Sequence, residues 1–284
     1  MPRYQFEAFR LYEDARAVGS ESNEIAPWTL DAPAYFCRDH SLKDAIYDEQ
    51  RANNQLGEDL EIKTVENLTQ AVLLNFEVLS KTKFFGTGTP VNGTTLSGTS
   101  QWSDYTNSDP ITAIENARVQ IKQAVAKAPN TFAVSFPVHV KLRQHPLIID
   151  RFKYTNPAGM LSVDQLKSVF EVDNYWVMGA EYDANLEGLS TAPSGAFTPT
   201  TGTTSLNFVW AKNALLAYVS PLGKLETIIG YQPRWLFGAP ELGGTLVKRY
   251  RWEPKTGDVV EVHRYHDAVF LVAGAAYTFT NAVA

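Results

Sequence analysis

The sequence predicts an α+β fold, and three observations carry that expectation. A long amphipathic helix over residues 110–127 runs directly into an alternating segment, "PNTFAVSFPVHVKLRQHP" at 129–146. A second apolar-striped helix covers 64–82, and aromatic-rich strands lie towards both ends of the chain. A helix leading into a strand with one apolar side implies helices packed on one face of a mostly antiparallel sheet. The 284 residues allow one or two domains with a substantial core.

At the start of the chain, "YQFEAFRLYED" (4–14) and "WTLDAPAYFCR" (28–38) read as strands joined by the polar, turn-forming "ARAVGSESNEIAP". Two strands alone cannot bury enough surface to be stable in water. The hairpin therefore lies either on its own domain's core or on a neighbouring subunit, and the residues leave both open. In the 64–82 helix Thr64 is the predicted N-cap, and Val65, Leu68, Val72, Phe76 and Leu79 form the apolar stripe. "GTGTPVNGTTLSGTSQ" at 86–101 lacks the Gly-Lys-Ser/Thr of a phosphate cradle and reads as a flexible surface loop.

Asp109 is a natural N-cap, with Pro110 at the first helical position and Ile111, Ile114, Ala117, Ile121 and Val125 on one face. In the alternating segment, Phe132, Val134, Phe136, Val138, Val140 and Leu142 are predicted to pack on that helix, with the other side open and Pro137 marking an edge or a bulge. Ser162 and Gln165 form a capping box ahead of a helix at 163–171. Strands are predicted at 175–183, 208–220 and 227–235, with a small-polar loop at 189–205. A hairpin follows from 245–252 through "EPKTGD" into the C-terminal strands. No internal repeat recurs at a fixed period.

Charge is unevenly spread. Residues 1–62 hold 13 Asp and Glu against 6 Lys and Arg, a net of −7, whereas residues 63–284 hold 18 against 19. That balance argues against a free nucleic-acid binder working through a broad basic face. No apolar run of 18 residues exists, so no membrane span is expected, and "MPRYQFEAFRLYEDAR" lacks the form of a signal peptide. The single cysteine, Cys37, excludes an intramolecular disulfide, suits a reducing compartment and reads as a packing residue.

A search for chemistry finds none, so neither catalytic nor cofactor nor metal residues are assigned. His263 and His266, three apart in a strand, face opposite sides of the sheet and cannot share a metal. His139 and His145 are too far apart in an extended segment to chelate together, and His139 is placed on its strand's polar side. The G-x-S-x-G, H-E-x-x-H and G-x-G-x-x-G patterns are all absent. The tryptophans Trp28, Trp102, Trp176, Trp210, Trp235 and Trp252 are too dispersed for a sugar platform and read as core and interface anchors.

Taken in order, several segments resemble tailed-phage major capsid proteins: "FRLYEDARAVGSESNEIAPWTLDAPAYFCRDHSLKDAIYDEQRAN", "SDPITAIENARVQIKQA", "APNTFAVSFPVHVKLRQHPLII", "LSVDQLKSVFEVDNYWVMGAEYD", "FVWAKNALLAYVSP", "GYQPRW" and "RYRWEPKTGDVVEVHRYHDAVFLVAGAAY". The resemblance runs along nearly the whole chain. It implies an HK97-like capsid fold with an extended β-hairpin arm in residues 1–62. A peripheral domain with a long helix and antiparallel sheet would occupy 63–147 and 241–267, and an axial domain 148–240 and 268–284. Either the 64–82 or the 110–127 helix would be the long peripheral helix.

The implied function is a major capsid protein, not an enzyme, that self-assembles into pentamers and hexamers. These would form an icosahedral or prolate head around double-stranded DNA, packaged without sequence specificity. Portal, scaffolding or decoration proteins are implied as partners, with no cofactor and no membrane; the product is a virion component assembled in the host cytoplasm. Intersubunit-contact candidates are Arg10, Glu13, Asp14, Arg16, Glu21, Glu24, Trp28, Tyr35 and Arg38. The charged helical scaffold segment that some members carry at the N-terminus is not expected in this sequence, whether it is supplied separately or removed. Neither is a lysine crosslink at the hairpin tip, because Lys43 is the only lysine in residues 1–62 and lies past the hairpin. The competing readings are an encapsulin-type compartment, which encloses cargo enzymes, and a soluble α+β hydrolase without a recognisable motif.

Overall fold

A computed structural model describes residues 34–54, 59–86, 88–89, 91–152, 161–183, 206–220, 228–238 and 243–284. It also describes residues 3, 4, 11, 15, 16, 18, 19, 21, 22, 24, 30 and 31. The predicted loop at 189–205, and most of the two predicted strands 4–14 and 28–38, lie outside the described residues.

The first elements are β1 (Arg3–Tyr4), β2 (Leu30–Asp31), β3 (Arg38–Tyr47), α1 (Asp48–Ala52), α2 (Leu60–Phe85) and β4 (Asn92–Thr95). Then come α3 (Pro110–Val125), β5 (Thr131–Ser135), α4 (Phe136–Arg143), α5 (Pro146–Ile149) and α6 (Val163–Phe170). Short strands follow: β6 (Asn174–Met178), β7 (Glu181–Asp183), β8 (Leu206–Phe208), β9 (Ala214–Ala217), β10 (Gly230–Tyr231) and β11 (Arg234–Trp235). The chain closes with β12 (Thr245–Trp252), β13 (Gly257–His266), β14 (Val269–Phe270) and β15 (Ala276–Thr280).

Helix α2 is longer than its periodicity suggests. Its cap is Asp59, whose carboxylate accepts from the backbone N–H groups of Glu61 and Ile62, not Thr64. Its C-terminal Gly86 donates to the Thr82 carbonyl, and a Cβ at Gly86 would meet that oxygen at 2.2 Å, so only glycine closes the helix this way. The helix lies on an antiparallel four-stranded sheet centred on β13, with β3 along one side and β12 then β11 along the other. Val72, Ile46, Val260 and Val262 are buried between helix and sheet or within the sheet. The predicted hairpin from 245–252 is present as β12–β13, turning through a short 3-10 segment at Glu253–Lys255.

At one end of this sheet an ion-pair network joins four elements. Asp258 in β13 accepts from Arg51 of α1 at 2.7 Å and from Arg249 of β12 at 3.0 Å, while both arginines also reach Glu61 of α2. The hydrogen bond from Arg249, opposed by partial desolvation, holds the Asp258 carboxyl below the usual carboxylate range.

The second sheet is mixed, in the order β4-β15-β9-β5-β6. It carries the main core, with Phe132, Leu142, Leu166, Phe170, Leu216 and Phe279 almost wholly buried. Helix α3 follows its sequence reading closely: the Asp109 carboxylate accepts from the amides of Ile111 and Thr112 at 3.0 Å, and Ile111, Ile114, Ala117, Ile121 and Val125 are buried. The capping box of α6 is also formed, with Gln165 N–H donating to Ser162 Oγ and Ser162 N–H to the Gln165 side chain.

Three expectations are corrected here. The alternating segment 129–146 is not one strand. Only Thr131–Ser135 is extended, buried on both faces between β9 and β6, and at Phe136 the chain turns into helix α4. Pro137 stands in the first turn of that helix, where its missing N–H costs nothing, rather than at a sheet edge. The Gly- and Thr-rich segment at 86–101 is not simply a loop. Its Asn92–Thr95 stretch adds a parallel edge strand to β15, because Gly93 lets the backbone close on Thr278, whose Oγ1 would lie 2.0 Å from a Cβ there. The predicted strand 208–220 is likewise two: its start belongs to β8, paired with β7, and its later part to β9.

Candidate assembly surfaces

At the start of the chain the described strands β1 and β2 pair with each other. Arg3 pairs with Asp31 and Tyr4 with Leu30, so the chain leaves and returns at one place. Between them Val18 and Gly19 form a turn, with Gly19 at φ +87°. Leu11 and Val18 are fully exposed, which means that they touch nothing of their own chain's body. Among the contact candidates, Arg16, Glu21 and Glu24 are exposed on this arm, and Arg16 donates to Ser22 Oγ at 3.4 Å. Arg10, Glu13, Asp14 and Trp28 lie outside the described residues. Tyr35 is half-exposed and meets Tyr231 edge-on at 6.0 Å, and Arg38 is exposed at the first position of β3.

Where the arm joins the four-stranded sheet, an apolar shelf is exposed that sequence reasoning did not single out. Trp235, Leu236 and Phe237 are each about half accessible, and Phe36 is more so. Trp235 packs on Phe237 at 4.8 Å and against Tyr265 at 5.3 Å, which gives the shelf a fixed shape. The signal was present as "RWLF", three large apolar residues in a row, but a run of three does not tell a core strand from a surface one. Trp102 and Trp210, by contrast, are buried core anchors.

The histidines are separated by the fold. His139 is buried on α4, not on a polar strand face, and its Nδ1 is 3.1 Å from the Tyr175 hydroxyl. His145 is wholly buried with Nε2 3.1 Å from Ser108 Oγ. Burial lowers the pKa of both rings. His263 and His266 do face opposite sides of β13: the first contacts Asp39 at 3.0 Å, the second stacks on His40. Cys37 is half-buried with its thiol 3.7 Å from the Pro233 carbonyl, and burial pushes its pKa up. Among the described residues no group of three or more His, Cys, Asp or Glu could hold a metal, and no described helix is long and apolar enough to cross a membrane.

A cavity of about 220 Å³ lies between α2 and the β10–β14 pair, lined by Phe76, Phe84, Ile229, Tyr231, Val269 and Phe270, with Lys83 its one cationic side chain. The exposed Phe36 and Trp235–Phe237 residues form an apolar surface of the kind that suits association.

No protein-family model matches the chain. It is 29% identical over 251 residues to a major capsid protein of Burkholderia phage BcepMu, covering 88% of this chain and 73% of that protein. Among solved structures, a phage-related protein from Bordetella bronchiseptica superposes with a TM-score of 0.69 at 24% identity, over 97% of this chain and 84% of the other. The chain has the HK97-type capsid fold. The capsid of the cyanophage P-SCSP1u shares it, with a TM-score of 0.59 at 11% identity over 98% of this chain and 81% of that one. The resemblance to tailed-phage major capsid proteins and the α+β class read from the sequence are both borne out. Similarity at so low an identity means that this capsid fold is held by its pattern of sheets and helices more than by particular side chains.

Proposed function

We propose that the chain is the major capsid protein of a tailed-phage head. Copies associate into pentamers and hexamers that close an icosahedral or prolate shell around double-stranded DNA. The observation that carries this reading is the sequence relative, a phage major capsid protein matched over 88% of the chain, on top of a capsid fold. Heterologous contacts between copies can close into rings, and many weak contacts sum to a durable shell. The near-neutral balance of residues 63–284 supports a container that holds DNA without gripping it. Portal, scaffolding or decoration proteins would complete the head, and assembly would take place in the host cytoplasm.

On this reading α2 is the long peripheral helix, since it rests on the antiparallel sheet of β3, β13 and β12. Helix α3 and strand β5, expected in the peripheral domain, would go with the axial one, because they pack into the five-stranded sheet. The arm would reach a neighbouring subunit through the candidates Arg10, Glu13, Asp14, Arg16, Glu21, Glu24, Trp28, Tyr35 and Arg38.

Purified protein examined by size-exclusion chromatography and electron microscopy tests this. Closed particles tens of nanometres across are expected; a stable 31.6 kDa monomer at every concentration would overturn it.

A further inference from the structure

The hollow between α2 and the β10–β14 pair plays no part in the shell reading, yet its walls are set in place from several sides. Phe76, Ser80, Lys83 and Phe84 line it from α2 at helical spacing, and the β10–β14 pair with its flanks closes the other side. Gly230 lets β10 close on β14, because a Cβ there would run into the Val269 carbonyl oxygen. Phe84 is held edge-on by Phe270 at 5.4 Å, and Phe76 by the buried His266 at 4.8 Å. Rings braced in this way give a pocket that exists before its ligand arrives. At about 220 Å³ the hollow exceeds the roughly 150 Å³ of an apolar cavity that accepts benzene, so a short aliphatic chain or one substituted ring fits.

The polar groups on this wall are mostly donors. Lys83 is its one charged side chain, is exposed, and makes no ion pair among the described residues. Gln232 accepts from Arg234 Nε at 3.2 Å and Nη2 at 2.8 Å, and a guanidinium only donates, so the amide oxygen is committed to Arg234. Its Nε2 is left as a buried donor with no acceptor. Ser80 Oγ is already engaged, donating to the Phe76 carbonyl at 2.9 Å. The acids adjacent in sequence, Glu77 and Asp267, are not among the lining side chains, and Asp267 accepts from the backbone N–H groups of Phe36 and Ala268. Positive charge and a spare donor around an apolar hollow favour a ligand with an anionic head and an apolar tail.

We propose that the hollow is a binding site for a small amphiphilic carboxylate. The tail fills the space between Phe76, Phe84, Ile229 and Phe270, and the head pairs with Lys83. Arg234, tied to the wall through Gln232, adds to its positive potential. A ligand held this way joins α2 to the β10–β14 pair, so it stabilises the folded chain in step with its occupancy. The inference stands independently of the shell reading.

The test uses full-length, unassembled protein with octanoate as the probe, read by isothermal titration calorimetry and by the unfolding temperature. One site per chain is expected. Octanoate should bind about 10-fold or more tighter than octylamine, whose cationic head meets Lys83 unfavourably, and tighter than butyrate, whose tail is too short to fill the hollow. Lys83→Met is expected to weaken octanoate by about 3-fold or more and to leave octan-1-ol unchanged. Val269→Trp and, from the opposite wall, Ser80→Leu are expected to occupy the space and remove binding of both. Hydrogen exchange gives a reading that needs no variant: octanoate should slow exchange at residues 229–231 and 268–270 and leave residues 92–95 unchanged.

No saturable octanoate binding up to about 10 mM, or octylamine binding equally well, would overturn the site. Affinity unchanged in both filling variants, with circular dichroism matching the wild type, would place the ligand elsewhere and reject it. Affinity unchanged in Lys83→Met would mean that the head has another partner, which is again a rejection. Should the filling variants fail to fold, exchange slowed only outside 229–231 and 268–270 in the wild type would overturn the site by itself.

Discussion

His40 stacks on His266 with ring centroids 4.2 Å apart and planes 20° from parallel, and Phe76 of α2 closes the other side edge-on at 4.8 Å. Neither ring nitrogen of His266 makes a hydrogen bond of normal geometry. Desolvation, and then the neighbouring His40, Arg264 and Arg234, push its pKa down to about 4.

Acid sensitivity follows from that depression. The unfolded chain binds a proton at about 6.5, which the folded chain refuses until about pH 4. Stability is therefore fully present above pH 6.5 and declines as the pH falls from there towards 4, by about 3 kcal/mol from this ring at most. His139 and His145, both lowered by burial, act in the same direction. Urea unfolding of unassembled protein between pH 7 and 4 should show the decline, and His266→Phe should flatten it. An unchanged slope in that variant would reject the assignment.

Phe132 is completely buried in β5, an interior strand of the five-stranded sheet, against Phe170 at 5.3 Å and Tyr175 at 5.8 Å. Phe132→Ala is expected to cost about 3–5 kcal/mol, because β5 is held from both sides and cannot collapse into the void. A loss below about 1 kcal/mol in urea unfolding would mean that the segment is not an interior strand.

Gly93→Ala tests the edge strand. The added methyl would meet Thr278 Oγ1 at 2.0 Å and its carbonyl oxygen at 2.6 Å, so β4 must move away from β15. Hydrogen exchange should lose protection at residues 92–95 while residues 131–135 keep theirs. Retained protection at 92–95 would contradict the parallel pairing.

Asp258→Asn removes the charge that answers Arg51 and Arg249. The unfolding temperature should fall at low salt, and the gap to the wild type should narrow as added salt screens the network. A difference independent of salt would point to packing instead of charge.

Legibility from sequence followed the range of each interaction. Asp109, Pro110 and the five buried positions of α3 obey rules that act within one or two turns, and all were readable in the chain order. The Ser162–Gln165 box and the β12–β13 hairpin were equally local. The segment 129–146 failed because "FPVHVKLR" satisfies two periods at once. Val138 and Leu142 share a face in a strand and also, four apart, on a helix, and Ser135 with Pro137 can open a helix as readily as a bulge. The first three teeth of the alternation decided for strand, and the tertiary structure decided otherwise for the rest.

The assembly surfaces divide in the same way. That the first 62 residues are acidic was written in composition. The basic cluster at one end of the four-stranded sheet was not, because Arg38, Arg234, Arg264 and His266 come from three strands up to 228 positions apart and meet only when β13 pairs on both sides. By itself the sequence determined the class of fold, the helices that cap and stripe themselves, and the resemblance to phage capsid proteins. Only the tertiary structure decided which strands share a sheet, which glycine admits an edge strand, and where basic side chains gather. Strand pairing is a long-range choice made by closing loops and matching faces, and no short window of residues contains both partners.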